Sequence, residues 1–218
     1  MMNLKYKNTL GSERTVEIEF ITKAIKKYYP QSPLGNKSIV LDVGGIPSDA
    51  DKMRSFYSFI DENKIDYRIS DFRGGDYRGD FVSYDFKEQK FDMIMFLSSL
   101  EHFPQCTEGD RVFRSAEDIR GFQKALQILN SGGYILLTVP FGKQRWQKFH
   151  QNYSWAGIQE LTAGSKIIES YTYRLVGSSA DTFISGVWTL EDPLKMEDII
   201  YTDRAYGAGC FVLQKTHI

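Results

Sequence analysis

Three acids stand where apolar runs end in turns. Asp42 closes "IVLDVGG" with Gly44 and Gly45 behind it, Asp71 ends "DYRISD", and Asp85 lies in "FVSYDF". A strand that ends in glycines lets backbone approach a ligand, and the helix that follows offers free N–H groups there. The familiar solution for a pyrophosphate is G-x-G-x-x-G. Here Gly44 and Gly45 are followed by Ile46, Pro47 and Ser48, so the spacing fails. A carboxylate ahead of the glycines would also repel a diphosphate. It suits a ligand that carries an amino group and a second cationic centre. Further along, "SSLEHF" puts Glu101 and His102 at the end of another apolar run, and His150 lies in "KQRWQKFHQNYSW". An imidazole is suited to removing a proton near neutral pH. Arg145, Trp146, His150, Tyr153 and Trp155 mix cations with large rings, a combination that can hold an anionic or sugar-like molecule. The three histidines have no paired spacing, so no metal site is expected. No Ser-His-Asp order stands out either, and Ser98 and Ser99 read as backbone contacts beside a ligand.

The elements that must position these residues follow from periodicity. Residues 12–29 carry Val16, Phe20, Ile21, Ala24, Ile25 and Tyr28 at helical spacing, with Ser12 to cap and Pro30 and Pro33 to stop the helix. "SIVLDV" is a continuous apolar strand of the kind buried on both faces. "SDADKMRSFYSFIDEN" reads as a helix capped by Ser48. "DYRISDF" and "FDMIMFLSSL" are strands, and "AEDIRGFQKALQIL" is a helix with "NSGG" as a glycine stop. "YILLTVPF" is a strand, "WAGIQELTAG" a helix, and "IIESYTYRLVG" and "GAGCFVLQKT" are closing strands. Strand and helix alternate over residues 39–140, which predicts an α/β, doubly wound, mainly parallel sheet. Without a long helix between the last two strands, the final one is expected to be antiparallel. In such sheets ligands sit at the carboxyl ends of the strands, where Asp42 and Asp71 are placed.

With these stretches in this order, the chain resembles the class I (Rossmann-like) S-adenosyl-L-methionine-dependent methyltransferases. "IVLDVGG", "YRISDFRGG", "FVSYDF" and "FDMIMFLSSLEHF" followed by "ALQILNSGGYILLTVPFG" are similar to the family's successive motifs. The resemblance covers residues 37–142 well and the rest loosely. It implies a seven-stranded sheet and S-adenosyl-L-methionine as cofactor. Asp42 would then favour its cationic end, Asp71 accept from its ribose hydroxyls and Asp85 from its adenine amino group, with Gly44, Gly45, Phe72, Phe86, Ser98 and Ser99 as further cofactor-binding residues. "SSLEH" with "LLTVPFG" is similar to small methyltransferases that act on sugars or surface glycans. This implies an oxygen of a small polar acceptor as the methylated atom, with His102, His150 and Glu101 as catalytic candidates. Two departures stand out. Ile46 takes the place of a motif glycine, and Gly44 and Asp71 are 27 positions apart (71 minus 44), against about 20 commonly seen between glycine turn and ribose acid.

Bulk composition narrows the field. The chain has 218 residues, with 27 basic and 28 acidic side chains, so no large basic surface for nucleic acid is expected. A single domain is expected, in three parts: an N-terminal helical segment (1–36), the cofactor-binding core (37–142), and acceptor-side loops with closing strands (143–218). Cys106 and Cys210 make no disulfide framework, and Cys210, in an apolar run, reads as core. The N-terminus lacks a signal-like apolar stretch and no segment reaches membrane-spanning length, which reads as a cytoplasmic protein without membrane insertion. His217, near the chain end, has no assigned part, and oligomeric state is left open. Two other readings remain: a non-catalytic relative that binds cofactor or a partner protein, supported by Ile46, and a nicotinamide-dependent oxidoreductase, disfavoured by the glycine spacing.

Overall fold

The structure, a computed structural model, describes residues 6–8, 13–29, 38–45, 50–103, 116–146, 150–176, 186–197 and 207–216. The described strands are β1 (Tyr6–Asn8), β2 (Ile39–Val43), β3 (Asp66–Asp71), β4 (Tyr77–Arg78), β5 (Phe91–Leu97), β6 (Leu129–Pro140), β7 (Arg145–Trp146), β8 (Gln151–Asn152), β9 (Ser165–Val176), β10 (Gly186–Leu190) and β11 (Gly207–Lys215). The helices are α1 (Arg14–Tyr28), α2 (Ala50–Glu62), α3 (Glu117–Ile128), α4 (Trp155–Leu161) and α5 (Pro193–Met196), with a 3₁₀ turn at Leu100–His102.

Nine strands form one sheet in the order β4-β3-β2-β5-β6-β11-β9-β10-β1, and β7 pairs separately with β8. From β4 to β6 all pairs are parallel. β11 runs antiparallel between β6 and β9, as its sequence position predicts. The expected seven strands are extended to nine by β10 and β1, both added antiparallel at one edge.

The apolar alternation of the central strands feeds two cores. Val40, Met93, Met95 and Leu136 pack with Val16, Phe20 and Ile21 of α1 and Met53 and Phe56 of α2. Leu41, Val43, Ile94, Phe96, Leu137 and Val139 pack on the other face with Phe122 and Ala125 of α3 and Ile158 and Leu161 of α4. Both faces of the parallel sheet are thus covered, the condition that makes its strands read as continuous apolar runs. Cys210 is fully buried in the first of these cores.

Local signals behave as their chemistry requires. Tyr29, the residue before Pro30, leaves α1 in extended geometry (φ −62°, ψ 113°). Ser154 caps α4 by accepting from the Gly157 N–H, and Asp192 caps α5 by accepting from the Leu194 N–H. One boundary differs from expectation. "NSGG" is not a stop between helix and strand: β6 already begins at Leu129, and Gly132 (φ 76°) sits in its irregular start, where the pairing with β5 shifts register. Ser12, Ile46, Pro47, Ser48, Cys106 and His217 lie outside the described residues.

Candidate functional site

The chain leaves β2 toward β3 on one side, while β5 lies on its other side, so the strand order switches between β2 and β5. The glycine turn sits at that switch. Gly44 has φ 82°, a conformation that favours glycine, and its N–H donates to Ser70 O at 2.8 Å. A Cβ on Gly44 would come 2.7 Å from Ser99 Cβ, and one on Gly45 would lie 2.5 Å from Asp42 Cγ. The turn is therefore pressed between Ser99, two residues past the end of β5, and the side chain of Asp42, and only glycine fits at both places.

Asp42 is 1% exposed. Its Oδ2 accepts the hydroxyl proton of Tyr67, and Oδ1 meets no hydrogen-bond partner among the described residues. Burial weakens it as an acid and pushes its pKa up to about 7. The Tyr67 hydrogen bond and the charge of Arg14 act against that shift, and Asp71 adds to it. Ser70 Oγ, at the tip of β3, is likewise buried without a partner among the described residues. A buried orphan oxygen needs a donor from somewhere, because an unmet polar group costs about 1–3 kcal/mol. The orphans and the glycine cradle together fit a ligand that brings N–H or O–H donors to this turn.

The neighbouring acids divide. Asp71 ends β3 and is 7% exposed. Its Oδ1 accepts from the Arg73 N–H at 2.8 Å and from Arg73 Nε at 3.1 Å, and its Oδ2 from Arg73 Nη2 at 3.2 Å. Phe72 beside it is 59% exposed and offers an open ring face. Asp85 is exposed and accepts from the Lys87 N–H at 2.8 Å, bonding its own turn. Phe86 departs from the sequence expectation. It is buried among Tyr77, Phe81, Tyr84 and Phe91, at ring-centre distances of 4.8–5.7 Å, which places it in the core. Sequence reasoning passed over Asp80. It follows Gly79, whose N–H donates to Asp71 O at 3.1 Å, so it leaves β4 directly beside the β3 tip. The signal was "RGD" just after "DY", a glycine and an acid at a strand end.

On the β5 side, the hydroxyls of Ser98 and Ser99 are used by the protein itself. Ser99 donates to Val43 O at 2.6 Å, and Ser98 donates to Glu17 Oε1. Ser98 sits at φ 43°, its N–H bonded to Thr138 O at 3.1 Å and Oγ1 at 3.0 Å. Glu17 is fully buried and also accepts from Arg14 Nη1 at 3.1 Å, while Arg14 donates to Leu97 O at 3.0 Å. Burial raises the Glu17 carboxyl against the pull of Arg14. This network, absent from the sequence reading, fastens the start of α1 to the tip of β5. A carboxylate lying in the helical stripe of Phe20, Ile21 and Ala24 was its signal.

Beyond β5, Glu101 is 2% exposed, and burial pushes its carboxyl well above the usual range. Its Oε1 lies 3.9 Å from His102 Nε2, and its Oε2 has no partner among the described residues. The His102 and His150 rings stand 6.2 Å apart at 78°, so the fold brings together two imidazoles that are 48 positions apart (150 minus 102). Tyr153 donates to Asp118 Oδ2 at 2.9 Å from a buried position, and Trp155 packs on Phe211 at 6.1 Å. Those two rings are therefore structural, and the expected aromatic cluster reduces to His150 beside His102, with Arg145 and Trp146 on β7 opposite β8. Among the described residues no three His, Cys, Asp or Glu side chains converge as metal ligands would.

This strand order, with its parallel half, inserted antiparallel β11 and glycine turn at the switch point, defines a Rossmann-like methyltransferase fold. Solved structures share it. The N-methyltransferase NodS from Bradyrhizobium japonicum WM9, in complex with S-adenosyl-L-homocysteine, has a TM-score of 0.53 and 11% identity, over 94% of this chain and 88% of that one. The 1,6-didemethyltoxoflavin-N1-methyltransferase of Burkholderia thailandensis, with bound 1,6-didemethyltoxoflavin and S-adenosylhomocysteine, has 0.52 and 13%, over 92% and 79%. The [4+2]-cyclase SpnF has 0.50 and 15%, over 89% and 79%. No protein-family model matches the sequence, and no curated protein matches it. Among the described residues, no helix is long and apolar enough to cross a membrane.

Proposed function

We propose that this chain binds S-adenosyl-L-methionine and transfers its methyl group to a small polar acceptor. The observation that carries this reading is the glycine turn at the β2/β5 switch, closed over a buried Asp42 whose Oδ1 lacks a donor. Asp42 would take the amino group of the cofactor, and Asp71 the ribose hydroxyls, since a carboxylate accepts two hydrogen bonds well. Asp85 would take the adenine amino group and Phe72 would offer its exposed ring to the base, with Asp80, which accepts from the Val82 N–H and the Ser83 hydroxyl, as a further candidate. The two structures with S-adenosylhomocysteine bound support the same ligand for this fold.

The bound cofactor supplies an activated methyl group on sulfonium. The protein's share is alignment and exclusion of water. For the acceptor we favour an oxygen, in line with the sugar or surface-glycan precursor that the sequence resemblance implies. A hydroxyl must lose its proton as it is methylated, and the paired imidazoles of His102 and His150 are suited to receive it. Glu101, whose carboxyl burial raises well above the usual range, lies 3.9 Å from His102 Nε2 and is suited to orient it.

A second reading has its own support. SpnF shares the fold and is named for a cyclisation, so the fold alone does not fix the chemistry. A cofactor-binding relative without methyl transfer fits the same turn. Titration calorimetry with S-adenosylmethionine and S-adenosylhomocysteine tests the binding half: micromolar affinity for both is expected, and no heat with either refutes it. Turnover of the methyl donor with candidate acceptors then separates transferase from binder.

A further inference from the structure

The two oxygens of Asp42 are treated differently. Oδ2 is held by the Tyr67 hydroxyl, and Oδ1, in the same buried carboxylate, is left without a donor among the described residues. Tyr67 of β3 is in register with Val40 of β2, so Asp42 stands two residues further on, on the same face of the sheet and nearer its ligand end. The phenol ring meets Phe56 of α2 edge-on at 5.8 Å and Tyr57 at 6.3 Å. Its hydroxyl is therefore fixed from behind by packing. From the front, Gly45 closes over the carboxylate, and the Tyr57 hydroxyl donates to Gly45 O at 3.3 Å. The carboxylate is thus held by the Tyr67 hydroxyl on one side and by the close approach of Gly45 on the other.

Resting on the reading of this turn as an S-adenosylmethionine site, we propose that Tyr67 is the positioning residue for the cofactor's amino group, that it aims Oδ1 of Asp42 at the incoming ammonium, and that capture of the ammonium drives one proton off Asp42 into solvent. The balance is simple. A carboxylic acid and an ammonium-bearing ligand become a carboxylate–ammonium pair, and one proton passes to the buffer. The charged and titratable groups around Asp42 set how far it is neutral beforehand. Arg14 of α1 favours the ionised form, Asp71 of β3 opposes it, Tyr67 favours it by its hydrogen bond, Tyr57 of α2 faces it as a neutral phenol, and β5 presents Met95 in register. Burial outweighs these, with the acid pushed up to about 7, so a large fraction is protonated in neutral solution before a ligand arrives.

The test is calorimetric titration of the full chain with S-adenosylhomocysteine, in phosphate and in Tris at matched pH, which counts protons released per ligand bound. About 0.9 proton near pH 6, about half near pH 7 and almost none near pH 8.5 are expected, with affinity about tenfold weaker near pH 6 than near pH 8. Tyr67→Phe keeps the ring packing and removes the donor, so the midpoint of this dependence should move to higher pH. Tyr57→Phe loses a hydroxyl that bonds Gly45 O, and its midpoint should stay. Affinity independent of pH with no proton release overturns the inference, as does a Tyr67→Phe midpoint equal to that of the wild type. Absence of heat at every pH refutes instead the proposed function on which it rests.

Discussion

Asp42 is a buried acid whose ionisation works against the fold, and this can be measured without any ligand. Burial raises its folded-state pKa to about 7, against an ordinary 3.8. Between these values the folded chain holds a proton that the unfolded chain has lost. Stability from this group is therefore fully present below pH 4 and drains away as pH rises through 7. The span is about 3 (7 minus 3.8), and at about 1.36 kcal/mol for each pH unit the full loss is about 4 kcal/mol. Asp42→Asn removes the titration and keeps an oxygen for Tyr67 to bond. It also buries two amide donors, at a cost of about 1–3 kcal/mol. The variant should thus be the less stable protein near pH 4, and should equal or exceed the wild type near pH 8, a relative swing of about 4 kcal/mol. Urea unfolding followed by circular dichroism at several pH values gives both curves. The difference between them isolates Asp42, because Glu17, Glu101 and Asp118, whose carboxyls are also raised by burial, titrate in both proteins. Two parallel curves from pH 4 to 8 would mean that Asp42 is ionised at no cost, and the account of an orphaned, desolvated carboxyl would be wrong.

Gly45→Ala forces a Cβ to within 2.5 Å of Asp42 Cγ, so a loss of about 1–3 kcal/mol in urea unfolding is expected, together with loss of S-adenosylhomocysteine binding. Asp71→Ala should weaken that binding by roughly 2 kcal/mol, about thirtyfold, through two lost charge-assisted hydrogen bonds, and calorimetry showing unchanged affinity removes Asp71 from the ribose site. His102→Asn and His150→Asn should each bind cofactor as the wild type does and lose turnover by about 10²–10⁴-fold if the residue takes the acceptor proton. A variant with full turnover in a methyl-transfer assay clears its residue of that part.

What could be read from the sequence is what short stretches fix by themselves. A buried parallel strand, a glycine pair that backbone geometry demands, and an acid one place before the strand end are local, and β2 with Asp42 stands where "IVLDVGG" puts it. The adenine side was less legible for a physical reason. Which acid stands beside Asp71 is settled by the two-residue pairing of Tyr77 and Arg78 with Ser70 and Asp71, and a strand that short carries no periodic signal. Counting along the chain led to Asp85 and Phe86, while the pairing sets Gly79 and Asp80 next to the β3 tip and Phe86 lies in the core. Glu17 was visible as a charge in an apolar stripe, but its partner Ser98 is 81 positions away, and no local pattern links them. The pair of imidazoles at His102 and His150 required the packing of β8 on the 3₁₀ turn for the same reason.

The grip of Arg73 on Asp71 needs to be reconciled with a ribose site, and magnitudes do so. Three hydrogen bonds from Arg73 fill the carboxylate, which would shut out a sugar if they were strong. The guanidinium, however, is 58% exposed, and an ion pair so open to water contributes about 0–1 kcal/mol. Only the bond from the Arg73 backbone N–H is fixed by the turn. Two hydroxyls on adjacent carbons can displace the guanidinium and find the remaining lone pairs already oriented by that N–H. The exchange gives up an interaction that water had largely screened and forms two in a place the ligand itself dries. If Asp71 holds the ribose as proposed, Arg73 would shield the buried acid in the absence of ligand and give it up to the diol.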